Sequence, residues 1–321
     1  MKSIVLFLLL SICCILIATV LGPGEINLLN LMPTLKTPGV ERTILLQIRL
    51  PRVGAGFLVG AGLSLAGAVL QSLLRNPLAE GYTLGLSGGA SLGICLGIIL
   101  RQGFLLPVFA FSGAMVSMVI VLAISQRHHF SGATLVLLGV VLNFVFSAFV
   151  LLLLAVSRSE RFYQVFFWLV GDLSSFPELS LKITGPVIVL VAIYLVTNAK
   201  VLDAMSLGEE KAASLGISLK QTRQRLITAS SLLVGCSVAV CGVVGFVGLV
   251  IPHLVRILVG ATHRRVIPGC FFLGGCFLVL ADGLARVLIS PLEIPVGVIT
   301  GFFGGLFFLT LLTSQRGVRV W

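Results

Sequence analysis

Runs of roughly 18–25 residues with almost no charge recur along this chain, and that repetition limits the fold more than any motif does. Each run is long enough to cross a bilayer as a helix, which satisfies its own backbone polar groups internally. Barrel strands would instead alternate in short segments. Of 321 residues, 58% are hydrophobic and 10% charged, more apolar surface than a soluble domain can hide. The expectation is an all-α, polytopic membrane protein surrounded by lipid.

Charge and cysteine usage narrow the class further. The formal net charge is +11, but the basic residues are scattered between apolar runs. That pattern excludes a nucleic-acid partner and follows the positive-inside rule. The seven cysteines lie in or beside apolar runs and form no CxxC pair. They read as small core residues rather than as disulfides or ligands, so no metal site and no cofactor is expected on the chain.

Taken in order, the spans give about ten helices. Residues 4–20 could pass for a signal peptide, and Cys13 for a lipoprotein site, but the bulky Ile12 stands where a small residue is needed. The segment reads as the first transmembrane helix, entering from the cytoplasm. Residues 22–47 read as an outside loop ending in Arg49-Leu50-Pro51-Arg52, a fixed cationic pair whose plainer explanation is interfacial snorkelling. The second span (53–73) is rich in small residues, and the chain turns back at Arg75–Glu80, where Pro77 breaks the helix. Gly85, Gly89, Gly93 and Gly97, four residues apart, make a packing groove on the third span.

The fourth span (105–125) ends near His128-His129, which read as solvated loop residues. The fifth (133–156) carries Asn143 as interhelical glue. Phe166, Phe167 and Trp168 suit a short surface helix within the outside segment 157–180. The sixth and seventh spans cover 182–198 and 226–244. Pro252 makes the eighth (245–256) short or kinked, with His253 and Arg256 one turn apart as an interface-facing pair. After the basic turn His263-Arg264-Arg265, the ninth span (266–285) places Asp282 and Arg286 at ion-pair spacing. The tenth (296–312) carries a second stripe at Gly297, Gly301 and Gly305. Both termini then fall inside, together with thirteen of the 22 Lys and Arg.

The longest polar interruption is 203–225. Ser206 with Glu209, and Ser218 with Gln221, have the spacing of capping boxes, and Gly216 is a candidate left-handed C′ residue. Two short helices in a row are expected. Capping signals alone favour a solvated connector over a docking element.

Five blocks reverse that preference. RLPR (49–52), AGAVLQSLLRNPLAEGYTLGLSGGASLG (66–93), LGEEKAASLG (207–216), GFVGLVIPHLVR (245–256) and PLEIPVGVITGFFGG (291–305) resemble the FecCD permease family, the type II ABC importer subunits for iron–siderophores, haem and vitamin B12. The resemblance runs in order from residue 49 to the C-terminus. It implies a single permease domain over 1–321 in the bacterial inner membrane, paired as a homodimer or pseudo-dimer with two cytoplasmic ATPases and a substrate-binding protein. It also implies that Leu207, Gly208, Glu209, Glu210, Ala212, Leu215 and Gly216 belong to coupling helices at about 203–224. Arg49, Arg52 and Arg286 match arginines that meet acidic residues of the binding protein, and Asn76 and Leu78 match an inner gate. At the fifth helix, Gly132-Ala133 stand where the vitamin B12 importer has small hydroxyl residues.

The residues themselves agree with a non-catalytic transport subunit. No G-x-x-x-x-G-K-[ST] occurs, so ATP hydrolysis must be borrowed. An ion-coupled transporter would need midplane carboxylates, and the nearest, Asp282 and Glu293, fall at a helix end. An intramembrane enzyme would need a nucleophile–base pair or a ligand cluster, and the spans offer neither. For the substrate, an iron–siderophore ranks first, then haem, a corrinoid or an oxyanion such as molybdate.

Overall fold

The apolar runs fold as helices. The computed structural model describes residues 2–22, 39–127, 132–156, 160–174, 176, 178–289 and 292–313. Within them lie thirteen helices and no strand. Expectations for 23–38, for His128-His129 and for the basic C-terminal segment 314–321 fall outside the described residues.

α2 (Val40–Leu74) is the axis of the bundle. Around it pack α12 (His263–Val287), α10 (Leu219–Cys241), α11 (Val247–Val259) and α7 (Glu178–Thr197), with α1 (Lys2–Val20) against α12. α2 is buried because its small residues let neighbours come close. A methyl group on Gly67 would collide with the Gly248 carbonyl oxygen of α11, and one on Gly60 with the Gly274 carbonyl oxygen of α12. The helix starts earlier than the composition of 22–47 suggested. A π-helical turn, Ile44–Arg49, ends two residues before Pro51, which cannot donate to the carbonyl four residues back.

α3 (Leu86–Ile99) and α4 (Leu106–Arg127) form the tightest pair. A methyl on Gly89 would strike the Gly113 carbonyl oxygen, and one on Gly93 the Phe109 carbonyl oxygen, so the first stripe is a groove for α4. Its first member differs: Gly85, at φ 77°, is the left-handed turn that launches α3. The second stripe divides. Gly297 meets the Val170 carbonyl oxygen, whereas nothing lies within 4 Å of a methyl on Gly301 and only a ring edge of Phe246 lies near Gly305.

α5 (Gly132–Val156) and α13 (Val296–Thr313) lie at the periphery and expose long apolar residues such as Phe144, Leu151, Phe302 and Leu309. Asn143 ties α5 to the start of α3. Its Oδ1 accepts from the Gly88 N–H at 3.0 Å and its Nδ2 donates to the Tyr82 carbonyl at 2.9 Å. The short helix α6 (Glu160–Val170) carries Phe166 and Phe167 on the surface.

Among the described residues, six helices are long and apolar enough to cross a membrane, α2, α4, α5, α7, α10 and α12, and four apolar helices are shorter. The protein is thus an all-α, multi-pass membrane protein.

Candidate functional site

Polar side chains gather at the two ends of the bundle. One end holds the arginines of the 49–52 block; the other holds the 203–225 segment.

At the loop end, 203–225 folds into two short helices, α8 (Ala199–Ser206) and α9 (Glu209–Ser214), followed by the start of α10. α9 closes as a Schellman motif. Gly216 is left-handed at φ 77° and donates to the Ala213 carbonyl, and the Ile217 N–H reaches the Ala212 carbonyl at 3.1 Å. The expected capping box is absent at the other end of α9. Ser206 belongs to α8 and its hydroxyl returns to the Asp203 carbonyl, while Gly208, at φ 109°, occupies the N-cap position. Glu209 is drawn instead to Arg223 of α10, in an ion pair that fastens α9 to the next span. Ser218 does stand at the N-cap of α10, but its side chain makes no cap bond.

Two leucines bracket α9 and face outward, Leu207 at 60% and Leu215 at 66% exposure, with Glu210 also exposed. Ala212 is the buried foot of the helix. The turn after α2 lies alongside. A methyl on Gly208 would stand 3.4 Å from a guanidinium nitrogen of Arg75, the left-handed residue ending α2. In that turn the Asn76 Oδ1 accepts from the Leu78 N–H at 3.0 Å, leaving Leu78 exposed. Gly132, at the start of α5, approaches the Leu74 carbonyl, so the two segments matched to a gate are neighbours.

Sequence reasoning missed a buried network beneath this surface. Asp203 Oδ1 accepts from the His263 backbone N–H at 2.8 Å and lies 2.7 Å from the His263 Nδ1. On the far side of the ring, Nε2 lies 2.6 Å from the Ser72 Oγ. Arg256 reaches the same Oγ at 3.3 Å and donates to the Gln71 Oε1 at 2.5 Å, and Gln71 donates to the Gly248 carbonyl at 3.1 Å. The chain thus joins α8 to α12, α2 and α11. His263 had read as part of a basic cytoplasmic turn and Arg256 as an interface-facing residue; both are buried, and only Arg264 and Arg265 of that turn are exposed. The available signal was Gln71-Ser72, two polar residues in an apolar span. Burial requires such groups to find partners.

At the opposite end, Arg49, Arg52 and Arg286 come together, but inward. Their exposures are 4%, 6% and 4%. Arg49 donates to the Thr19 and Val20 carbonyls, and Arg286 to those of Ala18 and Leu21, so both guanidinium groups cap the C-terminus of α1. Asp282 pairs with Arg286 at 3.2 Å, the expected helical spacing, and also with Arg52 at 2.9 Å, while Glu293 takes the other arm of Arg52 at 2.8 Å. The exposed rim cluster expected from sequence is a closed ion-pair network in this structure. Arg52, Arg286, Asp282 and Glu293 compensate one another's charge inside the bundle, and backbone carbonyls of α1 hold Arg49.

Among the described residues, no three His, Cys, Asp or Glu side chains stand close enough together to hold a metal ion.

The FecCD transport family matches residues 8–314. The chain is 43% identical over 285 residues to an uncharacterized ABC transporter permease, YvrB, of Bacillus subtilis, covering 86% of this chain and 80% of that protein. It is 39% identical to the hemin transport system permease HmuU of Yersinia pestis, covering 86% and 85% of the two chains. It is 37% identical to the vitamin B12 import system permease BtuC of Yersinia enterocolitica, over 99% and 94%. Among solved structures, an inward-facing transporter assigned to the metal-chelate ABC type superposes with a TM-score of 0.87 at 32% identity, over 97% of this chain and 99% of the other.

Proposed function

This chain belongs to the FecCD transport family, and on that premise we propose that it forms the pathway by which an iron chelate crosses the bacterial cytoplasmic membrane. It is a membrane permease subunit of a type II ABC importer. In our reading the cargo is a siderophore complex or haem, handed over by an extracytoplasmic binding protein. Two copies of the chain make the pathway, each a single domain of ten spans with both termini cytoplasmic. Two cytoplasmic ATPases supply the energy, and this chain carries neither catalysis nor a cofactor.

The observation that carries this reading is the α8–α9 segment. Two exposed leucines flank a short helix whose N-terminus touches the turn ending α2, the axis of the bundle. Exposed leucines bracketing a rigid helix suit a protein partner. Movement of α9 would reach the Asn76–Leu78 turn through Arg75. The likeness to a hemin permease supports an iron chelate, and the similar likeness to a vitamin B12 permease makes a corrinoid the second reading, ahead of molybdate.

The test is uptake into proteoliposomes holding the permease, its ATPase and its binding protein. Ferric siderophores, haem, cobalamin and molybdate are offered in parallel, with and without ATP. ATP-dependent accumulation of a ferric siderophore or haem, with the others near background, is the expected result. Accumulation of cobalamin or molybdate alone would reject the iron chelate and leave the importer standing.

A further inference from the structure

A cleft lies between α7 and α10. Near the loop end it has a volume of about 630 Å³ and is lined by Tyr194 of α7 and by Gln221, Gln224, Arg225 and Thr228 of α10. These α10 residues recur at three- and four-residue spacing, so they share one helix face. No acidic side chain occurs among the described lining residues. Arg225 is exposed and, among the described residues, has no ion pair or hydrogen bond, in contrast to Arg223 two positions away, which holds Glu209.

The cleft changes character along its length. Val191, Ala229 and Leu232 line its inner part, and Leu232 also borders a second, almost wholly apolar cleft of about 250 Å³ that continues past Val187 to Cys236 and Phe111 of α4. Arg225 and Cys236 are separated by about 16 Å of helix at ~1.5 Å per residue. That is about half of a ~30 Å hydrocarbon core, the depth of one leaflet. Tyr194 sits one turn from the end of α7, the depth at which tyrosine marks a membrane interface.

We propose that this groove is a binding site for one anionic phospholipid. Arg225 takes the phosphate, Gln221, Gln224 and Tyr194 supply hydrogen-bond donors to the headgroup, and an acyl chain lies along Leu232 and Cys236. Charge complementarity selects this occupant. An unpaired guanidinium amid amide and hydroxyl donors matches a phosphodiester, and the adjoining apolar slot matches a hydrocarbon tail. An extended protein segment would need acceptors and donors along the slot, and the slot offers almost none.

The test uses the assembled permease–ATPase complex in a neutral detergent. Native mass spectrometry would follow binding of phosphatidylglycerol and of phosphatidylcholine with identical chains. We expect the wild-type complex to retain phosphatidylglycerol about fivefold more strongly, the preference one basic residue confers at a membrane surface. Arg225→Ala should erase that preference, Leu232→Trp should weaken both lipids by filling the slot, and Arg264→Ala should leave both unchanged. Millimolar inorganic phosphate should not displace the lipid. Equal retention by wild type and Arg225→Ala, or full displacement by phosphate, would overturn the proposal. So would binding seen with the permease alone and lost in the complex, which would give the groove to the ATPase.

Discussion

His263 Nδ1 stands 2.7 Å from the Asp203 carboxylate, and this contact ties the segment that carries α9 to the buried end of α2. The ring is held from both sides, since its Nε2 meets the Ser72 Oγ at 2.6 Å. We therefore expect Asp203→Ala to reduce the cargo moved per ATP hydrolysed. The Asp203 side chain is 36% exposed, so the stability cost should fall at the lower end for a charged hydrogen bond, about 1–2 kcal/mol. The double variant Asp203→Ala with His263→Phe should recover only part of the stability, because the ring nitrogen is no longer orphaned while the His263 backbone N–H, which also donates to Asp203, still is; the coupling should not return. Paired ATPase and uptake measurements decide it: an unchanged ratio in Asp203→Ala would remove this contact from the coupling route.

At the opposite end, Arg52 and Asp282 form a buried pair to which Arg286 and Glu293 also contribute. Asp282→Ala would take from two buried guanidinium groups the carboxylate they share, leaving Arg52 with Glu293 and Arg286 with backbone carbonyls, and should destabilise the protein by about 3 kcal/mol. Charge reversal at Arg49 and Arg52 should also loosen α1, whose final carbonyls Arg49 caps. Any effect of these variants on binding-protein docking must be read beside their melting temperatures. A melting temperature for Asp282→Ala equal to wild type would show that the cluster opens freely, restoring the arginines as an exposed docking surface.

The glycine stripes predict unequal responses. Gly89→Leu and Gly67→Ala force side chains against backbone carbonyls and should cost about 1–3 kcal/mol or more, lowering the yield of folded protein. Gly301→Ala meets open space and should stay within about 0.5 kcal/mol. Thermal denaturation of the three purified variants checks this. Equal loss at Gly301 would reveal a partner packed on α13.

Glu209 and Arg223 fasten α9 to α10, with the Glu209 side chain 43% exposed. The Arg223 side chain is only 7% exposed, so Glu209→Arg should cost about 1–3 kcal/mol in stability and disconnect ATP hydrolysis from uptake. Exchanging the two charges, Glu209→Arg with Arg223→Glu, should restore part of the coupling. Normal uptake by the single variant would sever α9 from the ATPase contact.

Element type was legible in the sequence because a membrane helix needs only length and the absence of charge. The Gly89–Gly97 groove was legible because i,i+4 spacing alone places residues on one face. The left-handed turn at Gly216 and the Asp282–Arg286 pair were likewise local, set within one or two turns of chain. Tertiary structure alone decided which polar groups meet. Ser72 and His263 are 191 positions apart, and Arg52 and Asp282 are 230. Whether an arginine faces solvent or caps α1 depends on which helix ends arrive beside it. Gly301 and Gly297 share a stripe, yet only Gly297 has a backbone against it. Sequence fixes the periodicity of a helix face, but the partner of that face is set by packing the whole bundle, where each buried polar group must find a complement that distant segments supply.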